Sequence, residues 1–200
     1  MELGELCGAT LTGASFEGAM WAGAEIDELE LDESSLRRLR AAEGTWERCT
    51  FTDCDATGAD LAGLTTRDVG LIRSPLDGAR LTGSSWLRSR WREVSLEDAV
   101  ADSLSAHSAR WTDVTLTRTS LRDADFTGAE LSRVRFVDCD LSGARFADLR
   151  AHRVTFTGCR LEQITGADSL RGTELAWSDA VSALPSLAAQ LGIRIQGEKQ

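Results

Sequence analysis

Two histidines and five cysteines carry the most reactive side chains in this chain, and their spacing decides what chemistry they could do. His107 and His152 lie 45 residues apart, and neither has a cysteine or serine at a spacing that would make a base–nucleophile pair. Cys7, Cys49, Cys54, Cys139 and Cys159 contain no C-x-x-C step, so a structural zinc site is not expected. The glycines do not fall into a G-x-x-x-x-G-K phosphate loop. The expectation is a protein that is not an enzyme, with no catalytic residue, no metal and no cofactor. The one dense group of like side chains is acidic: Glu25, Asp27, Glu28, Glu30, Asp32 and Glu33, followed at once by Arg37, Arg38 and Arg40. These six carboxylates are the candidate partner-binding residues. A solvated, mixed surface that keeps the protein soluble is the other reading of the same residues.

The elements that position these residues are written in a period of five. Every fifth residue from Leu6 to Leu161 gives 32 positions, of which 26 are Leu, Phe, Trp or Ile. The residue two before each is mostly small, as at Ala9, Ala14, Cys49, Cys54, Ala124, Cys139 and Cys159. Residues two apart on an extended chain point to the same side, so the large residue and the small one before it face inward. The other three face water, and glycine is frequent among them (Gly8, Gly58, Gly78, Gly128), which suits a corner that needs positive φ. A helix would repeat at 3.6 residues and a flat strand at 2. A period of 5 describes a chain that turns a corner every five residues and winds into a coil, and repeats of this kind decide the whole architecture.

The stretches Ala59-Asp60-Leu61, Ala124-Asp125-Phe126, Ala129-Glu130-Leu131 and Cys139-Asp140-Leu141 resemble the pentapeptide-repeat family, whose consensus is A(D/N)LXX. The resemblance spans residues 4 to about 175. It implies an all-β fold: a right-handed quadrilateral parallel β-helix of about eight coils, with four pentapeptides to a coil. At the usual strand spacing, eight coils make a rod roughly 38 Å long. If the helix is four-sided, residues 20 apart stack, and the column Trp46, Thr66, Trp86, Ala106, Phe126 alternates large and small as a filled core requires. Trp86 and Trp91 then belong to the core rather than to a ligand site. Cys139 and Cys159 stack one coil apart, so a disulfide is geometrically conceivable, though reduced thiols are expected. Ile72, Leu87 and Val100 are apolar yet outward and mark a candidate contact patch.

The five-residue phase ends after Leu161, with Leu170 and Leu175 in a shifted register, which divides the chain into a repeat domain over 1–176 and a capping segment over 177–200. Residues 177–192 read as a capping α-helix, with Ser178 as N-cap, Gly192 as the C-terminal stop and Pro185 as a kink or the start of a second helix. Val181, Leu184, Leu187, Ala188 and Leu191 form its apolar stripe, and residues 193–195 could add a short strand. The stripe covers the last coil and can also join two copies, with Val181, Leu184, Leu187, Leu191 and Ile193 as the dimer contact. Repeat and cap together resemble the MfpA and Qnr branch of the family. That resemblance implies a homodimer joined at the C-terminal ends and a rod that imitates duplex DNA and binds DNA gyrase or a related type II topoisomerase.

Bulk properties set limits on this. A net charge of −10 argues against direct nucleic-acid binding, which needs a basic face, and suits attraction to a basic partner. No charged-then-apolar leader and no membrane-length apolar run is seen, so a cytoplasmic protein is expected.

Overall fold

A computed structural model describes residues 3–194, and in it the five-residue period becomes a square coil. Strand residues pair in parallel with partners 20 positions on, as in Thr10↔Glu30, Glu25↔Thr45 and Ser95↔Thr115, so four pentapeptides complete one turn. The second face of the coil (the one that carries Leu11) is an eight-stranded sheet from Thr10–Thr12 to Arg150–His152. The first face has four strands, from Glu25–Asp27 to Ser85–Leu87, continued by single bridges as far as Arg145↔Thr165. The third face has five strands ending at Glu174–Leu175, and the fourth is held by single bridges from Met20↔Arg40 to Asp140↔Arg160. The expected quadrilateral parallel β-helix is therefore present. Its register ends where the count changes: Phe156 pairs with Leu175, 19 residues on rather than 20.

Every fifth residue from Gly8 to Gln163 has positive φ, because each corner must bend the chain by about a right angle within one residue. Twenty-one residues other than glycine occupy such corners. The glycine preference read from the sequence is thus only part of the device, since Glu28, Arg48, Asp68 and Arg88 adopt the same conformation. An L-residue there costs about 1–2 kcal/mol, so the hydrogen bonds and packing of the neighbouring coils must hold it.

The inward series fills the coil. Trp46, Trp86, Phe126 and Leu121 are buried, and Thr66 is buried between the two tryptophans of its column. The alternation of large and small holds from Trp46 to Phe126 on that first face and over Trp21, Ala41 and Leu61 on the fourth, but not throughout, since Phe126 and Phe146 are neighbours stacked at 5.5 Å. Trp91 and Trp111 stack at 4.5 Å with planes 5° apart, as do Phe136 and Phe156 at 4.9 Å and 4°. Flat rings fit the spacing between coils face to face, so neighbouring aromatic residues need no small partner. The residues two before the series have their own rule. Cys49, Ser74 and Thr119 each donate to the carbonyl two residues earlier, at 3.2, 3.0 and 3.2 Å, and also to a carbonyl of the preceding coil. A buried thiol or hydroxyl is thereby satisfied, which lets Cys, Ser and Thr stand where alanine does.

Outside, charged side chains pair along the rod axis. Arg73 bonds Asp53, Arg88 bonds Asp68, Arg118 bonds Asp98 and Arg133 bonds Asp113, each across 20 residues. The hydrogen-bonded guanidinium holds each of these four carboxyls below its usual range. Asp140 is the most enclosed member: Arg122 and Arg160 reach its Oδ2 at 2.6 and 2.7 Å, and Ser142 bonds its Oδ1 at 2.6 Å. Burial works against its ionisation, but the bonds from Ser142, Arg122 and Arg160 outweigh it and bring the pKa down to about 2.

The C-terminal helix, Trp177–Gln190, closes the rod as one helix running through Pro185. Its N-cap is Ala176 and not Ser178, whose hydroxyl bonds the buried Asp179 instead, at 2.8 Å. Gly192, at φ 72°, ends the helix, with its N–H on the Ala189 carbonyl and that of Ile193 on Ala188, the two bonds of a Schellman stop. Ala183 and Ala188 are buried and Leu187 packs on the core. The lid is thus made of these residues, whereas Val181, Leu184 and Leu191 of the expected stripe face outward. The Ser182 hydroxyl accepts the Leu161 N–H at 3.1 Å, a bond that a further coil would otherwise supply. Residues 193 and 194 form no strand, and Ile195 lies outside the described residues.

Leu121→Ala, in the middle of the fourth-face column, is expected to cost roughly 2–5 kcal/mol in urea melts; a loss below about half a kcal/mol would contradict its place in the core. Asp140→Asn is expected to lower stability at pH 7 by about 1 kcal/mol, solvent screening trimming the full linkage value. A depressed carboxylate pKa stabilises above the unfolded value and ceases to as the pH falls through the folded one, so melts of the two proteins should converge between about pH 4 and pH 2.

Candidate interaction surface

The thiols of Cys139 and Cys159 meet one coil apart, as their spacing predicts, but neither histidine joins them. His107 and His152 are exposed on different faces. Cys49, Cys54, Cys139 and Cys159 are buried, only Cys7 is exposed, and all five thiols are free. Burial pushes the Cys49 thiol up to about 11, far from the range of a nucleophile. Among the described residues no group of three His, Cys, Asp or Glu side chains could hold a metal ion. Ile72, Leu87 and Val100 fall on three separate faces and form no common patch; Val100 is exposed and the other two are half-buried.

The acidic group spans two faces and two corners of the second coil. Glu25 and Asp27 flank buried Ile26 on the first face, and Glu30 and Asp32 flank buried Leu31 on the second. Glu28 and Glu33 are the corner residues that follow each strand, at φ 57° and 48°. Arg48, one coil on, reaches Glu28 at 3.2 Å and Glu47 at 3.4 Å and also bonds Asp27. Glu30 accepts a bond from the Thr10 hydroxyl at 3.2 Å. Glu25, Glu30, Asp32 and Glu33 make no ion pair with any described residue, in contrast to the laddered carboxylates further along. The arginines that follow in sequence do not serve the group: Arg37 bonds Asp55, Arg38 bonds Glu17, and Arg40 bonds the Met20 sulfur.

Face totals hide a second feature. The second face sums to zero, yet its charge is split along the rod. Glu30, Asp32, Glu33 and Asp53 stand on its first three coils with no arginine. From Arg73 onward seven arginines (Arg73, Arg90, Arg92, Arg110, Arg133, Arg150, Arg153) face three carboxylates (Glu93, Asp113, Glu130), a net +4. Tallying charge coil by coil would have found this in the sequence. At the far end, Trp177, Val181 and Leu184 share one side of the helix at i, i+4 and i+7 and are 85%, 54% and 51% exposed. Leu191 and Ile193 beyond them are exposed too, while Leu187 is half-buried against the core. No helix among the described residues is long and apolar enough to cross a membrane.

Comparison with known proteins bears on the repeat. The family model described as Pentapeptide repeats matches residues 107–142 and 134–163, in eight copies. A search of curated proteins finds no match. Among solved structures, a trypsin-treated variant of QnrB1, a plasmid-mediated fluoroquinolone resistance protein, is 19% identical, with 98% of this chain and 96% of that one covered at a TM-score of 0.49. Rfr23 of the cyanobacterium Cyanothece is 18% identical over 47% of this chain and 78% of its own, at a TM-score of 0.45. HetL of the cyanobacterium Nostoc sp. is 21% identical over 80% and 73%, at 0.31. The register that the family model recognises over residues 107–163 runs unbroken through every coil from Leu6 to Leu161, so the five-residue repeat extends well beyond the residues that the family model matches.

Proposed function

We propose that this protein is a non-enzymatic DNA mimic that binds DNA gyrase or a related type II topoisomerase, and so modulates the enzyme or protects it from inhibitors such as quinolones. The observation that carries this reading is the acidic band at Glu25–Glu33, where Glu25, Glu30, Asp32 and Glu33 have no ion-pair partner among the described residues. A narrow rod that bears unpaired carboxylates on adjoining faces offers a basic DNA groove the charge it expects. The repeat and cap also resemble those of MfpA and Qnr proteins, rods that imitate duplex DNA. The charge is local: two copies would carry twice the −10 of one chain over roughly 80 Å, one net charge per ~4 Å against one per ~1.7 Å in B-DNA. Such a partner would place the protein in the cytoplasm, with no direct contact to nucleic acid.

The second reading is an interaction scaffold for another protein partner. The axial arginine–carboxylate ladders favour it, because they neutralise much of the surface that a uniform mimic would keep bare. One assay separates the two. Purified protein added to gyrase supercoiling reactions, with and without a quinolone, should inhibit or protect at low salt and lose the effect as salt rises. Glu25→Lys, Glu30→Lys and Glu33→Lys together should abolish it; no binding by the wild-type protein at low salt would leave the scaffold reading.

The same proposal includes a homodimer through the C-terminal end, since Trp177, Val181, Leu184, Leu191 and Ile193 are exposed together beside the lid. Light scattering after size-exclusion chromatography should give twice the 21.6 kDa chain mass for the wild-type protein and the chain mass for Val181→Asp with Leu184→Asp. A monomeric wild-type protein would refute the dimer.

A further inference from the structure

Gly70 is a glycine that the fold does not require. Its φ is not in the left-handed region, and an added Cβ would meet only the Thr50 side chain, at 3.7 Å. Gly44 shows the contrast: a Cβ there would come within 2.9 Å of the Ala24 carbonyl oxygen. Gly70 also lies inside a strand, where glycine is disfavoured unless something approaches the backbone closely. On the second face the outward column runs Thr50, Gly70, Arg90, Arg110, so the missing side chain leaves a notch between a hydroxyl and a guanidinium. The notch is a cavity of about 270 Å³ whose charged lining is Asp68, Arg88, Arg90 and Arg92, three guanidinium groups to one carboxylate.

The charges around it are not balanced from within. Arg88 is fully engaged by Asp68, through bonds of 3.0 and 2.7 Å. Arg90 makes no ion pair with any described residue, and Arg92 has one loose contact, 3.7 Å to Glu93. Arg110, directly across the ladder from Arg90, is engaged by Glu130 at 2.7 Å, which leaves Arg90 as the unpaired guanidinium of that column. Two guanidinium groups and a hydroxyl converging on a small cavity match the several oxygens and double charge of a phosphate better than a single carboxylate.

We propose that the notch at Gly70 binds a phosphate-bearing small ligand through Arg90 and Arg92, with the Thr50 hydroxyl as a third contact. This site is independent of the acidic band, which lies two coils away on the same face. The test is calorimetric titration of the full chain with inorganic phosphate, pyrophosphate and succinate at low ionic strength. Phosphate and pyrophosphate should bind saturably, with pyrophosphate tighter than succinate. Gly70→Val fills the notch with a residue that suits a strand, so it should lower affinity at least tenfold while leaving the melting temperature unchanged or higher. Arg90→Gln should lower affinity by a similar factor. Absence of saturable phosphate and pyrophosphate binding at millimolar concentration, equal affinity in Gly70→Val, or tighter binding of succinate than of pyrophosphate would each overturn the proposal.

Discussion

The hydrogen-bonded match of each residue to the one 20 positions on is the constraint from which the rest of this molecule follows. Main-chain N–H groups alternate between partners in the coil before and the coil after, as where Glu30 donates to Ala9 and Phe16 to Ser35. A residue added to or lost from one coil has to be absorbed at a corner or loop, or it would carry the inward side chains that follow out of their columns. Core columns, corner positions and charge ladders all inherit their spacing from that match. It also explains the end of the array, since the pairing of Phe156 with Leu175 is one residue short and the chain there leaves the coil for the lid.

The corners show how the repeated register turns a local cost into surface organisation. Positive φ at a charged residue is unfavourable in isolation, but it stacks such residues in columns one coil apart. Opposite charges in neighbouring coils then bond, as in Arg73 with Asp53 and Arg133 with Asp113. Exposed pairs of this kind add little stability each. Their larger effect is on recognition, because they leave net charge only where the ladder fails. The acidic band of the second coil and the arginines around Gly70 are two such failures, of opposite sign, on one face.

The two ends of the rod differ. At the first described coil Leu11, Phe16, Ala9 and Ala14 are only partly buried. At the other end the helix supplies what a ninth coil would have: Ala183 and Leu187 against the core, and Ser182 for the Leu161 N–H. The residues of that helix turned away from the rod are larger and more apolar than those turned toward it. Close approach of a helix to a flat coil end favours alanine on the inner side, which leaves Trp177, Val181 and Leu184 outside.

The sequence alone determined a chain that turns a corner every five residues, its inward residues and a capping helix, because side-chain direction follows from the period; that four such segments close a turn was decided by the pairing of residues 20 apart. It could not determine which way the cap helix would turn, since its apolar residues lie on more than one side and only packing against the last coil chose among them. Nor could it say that corners tolerate Glu28 or Arg88 as readily as glycine, because the cost of positive φ is local and its compensation comes from neighbouring coils. The isolation of Glu25, Glu30, Asp32 and Glu33 was likewise decided in three dimensions. Arg37, Arg38 and Arg40 follow them closely in the chain, but the corners carry those arginines to other faces, where their guanidinium groups find Asp55, Glu17 and Met20.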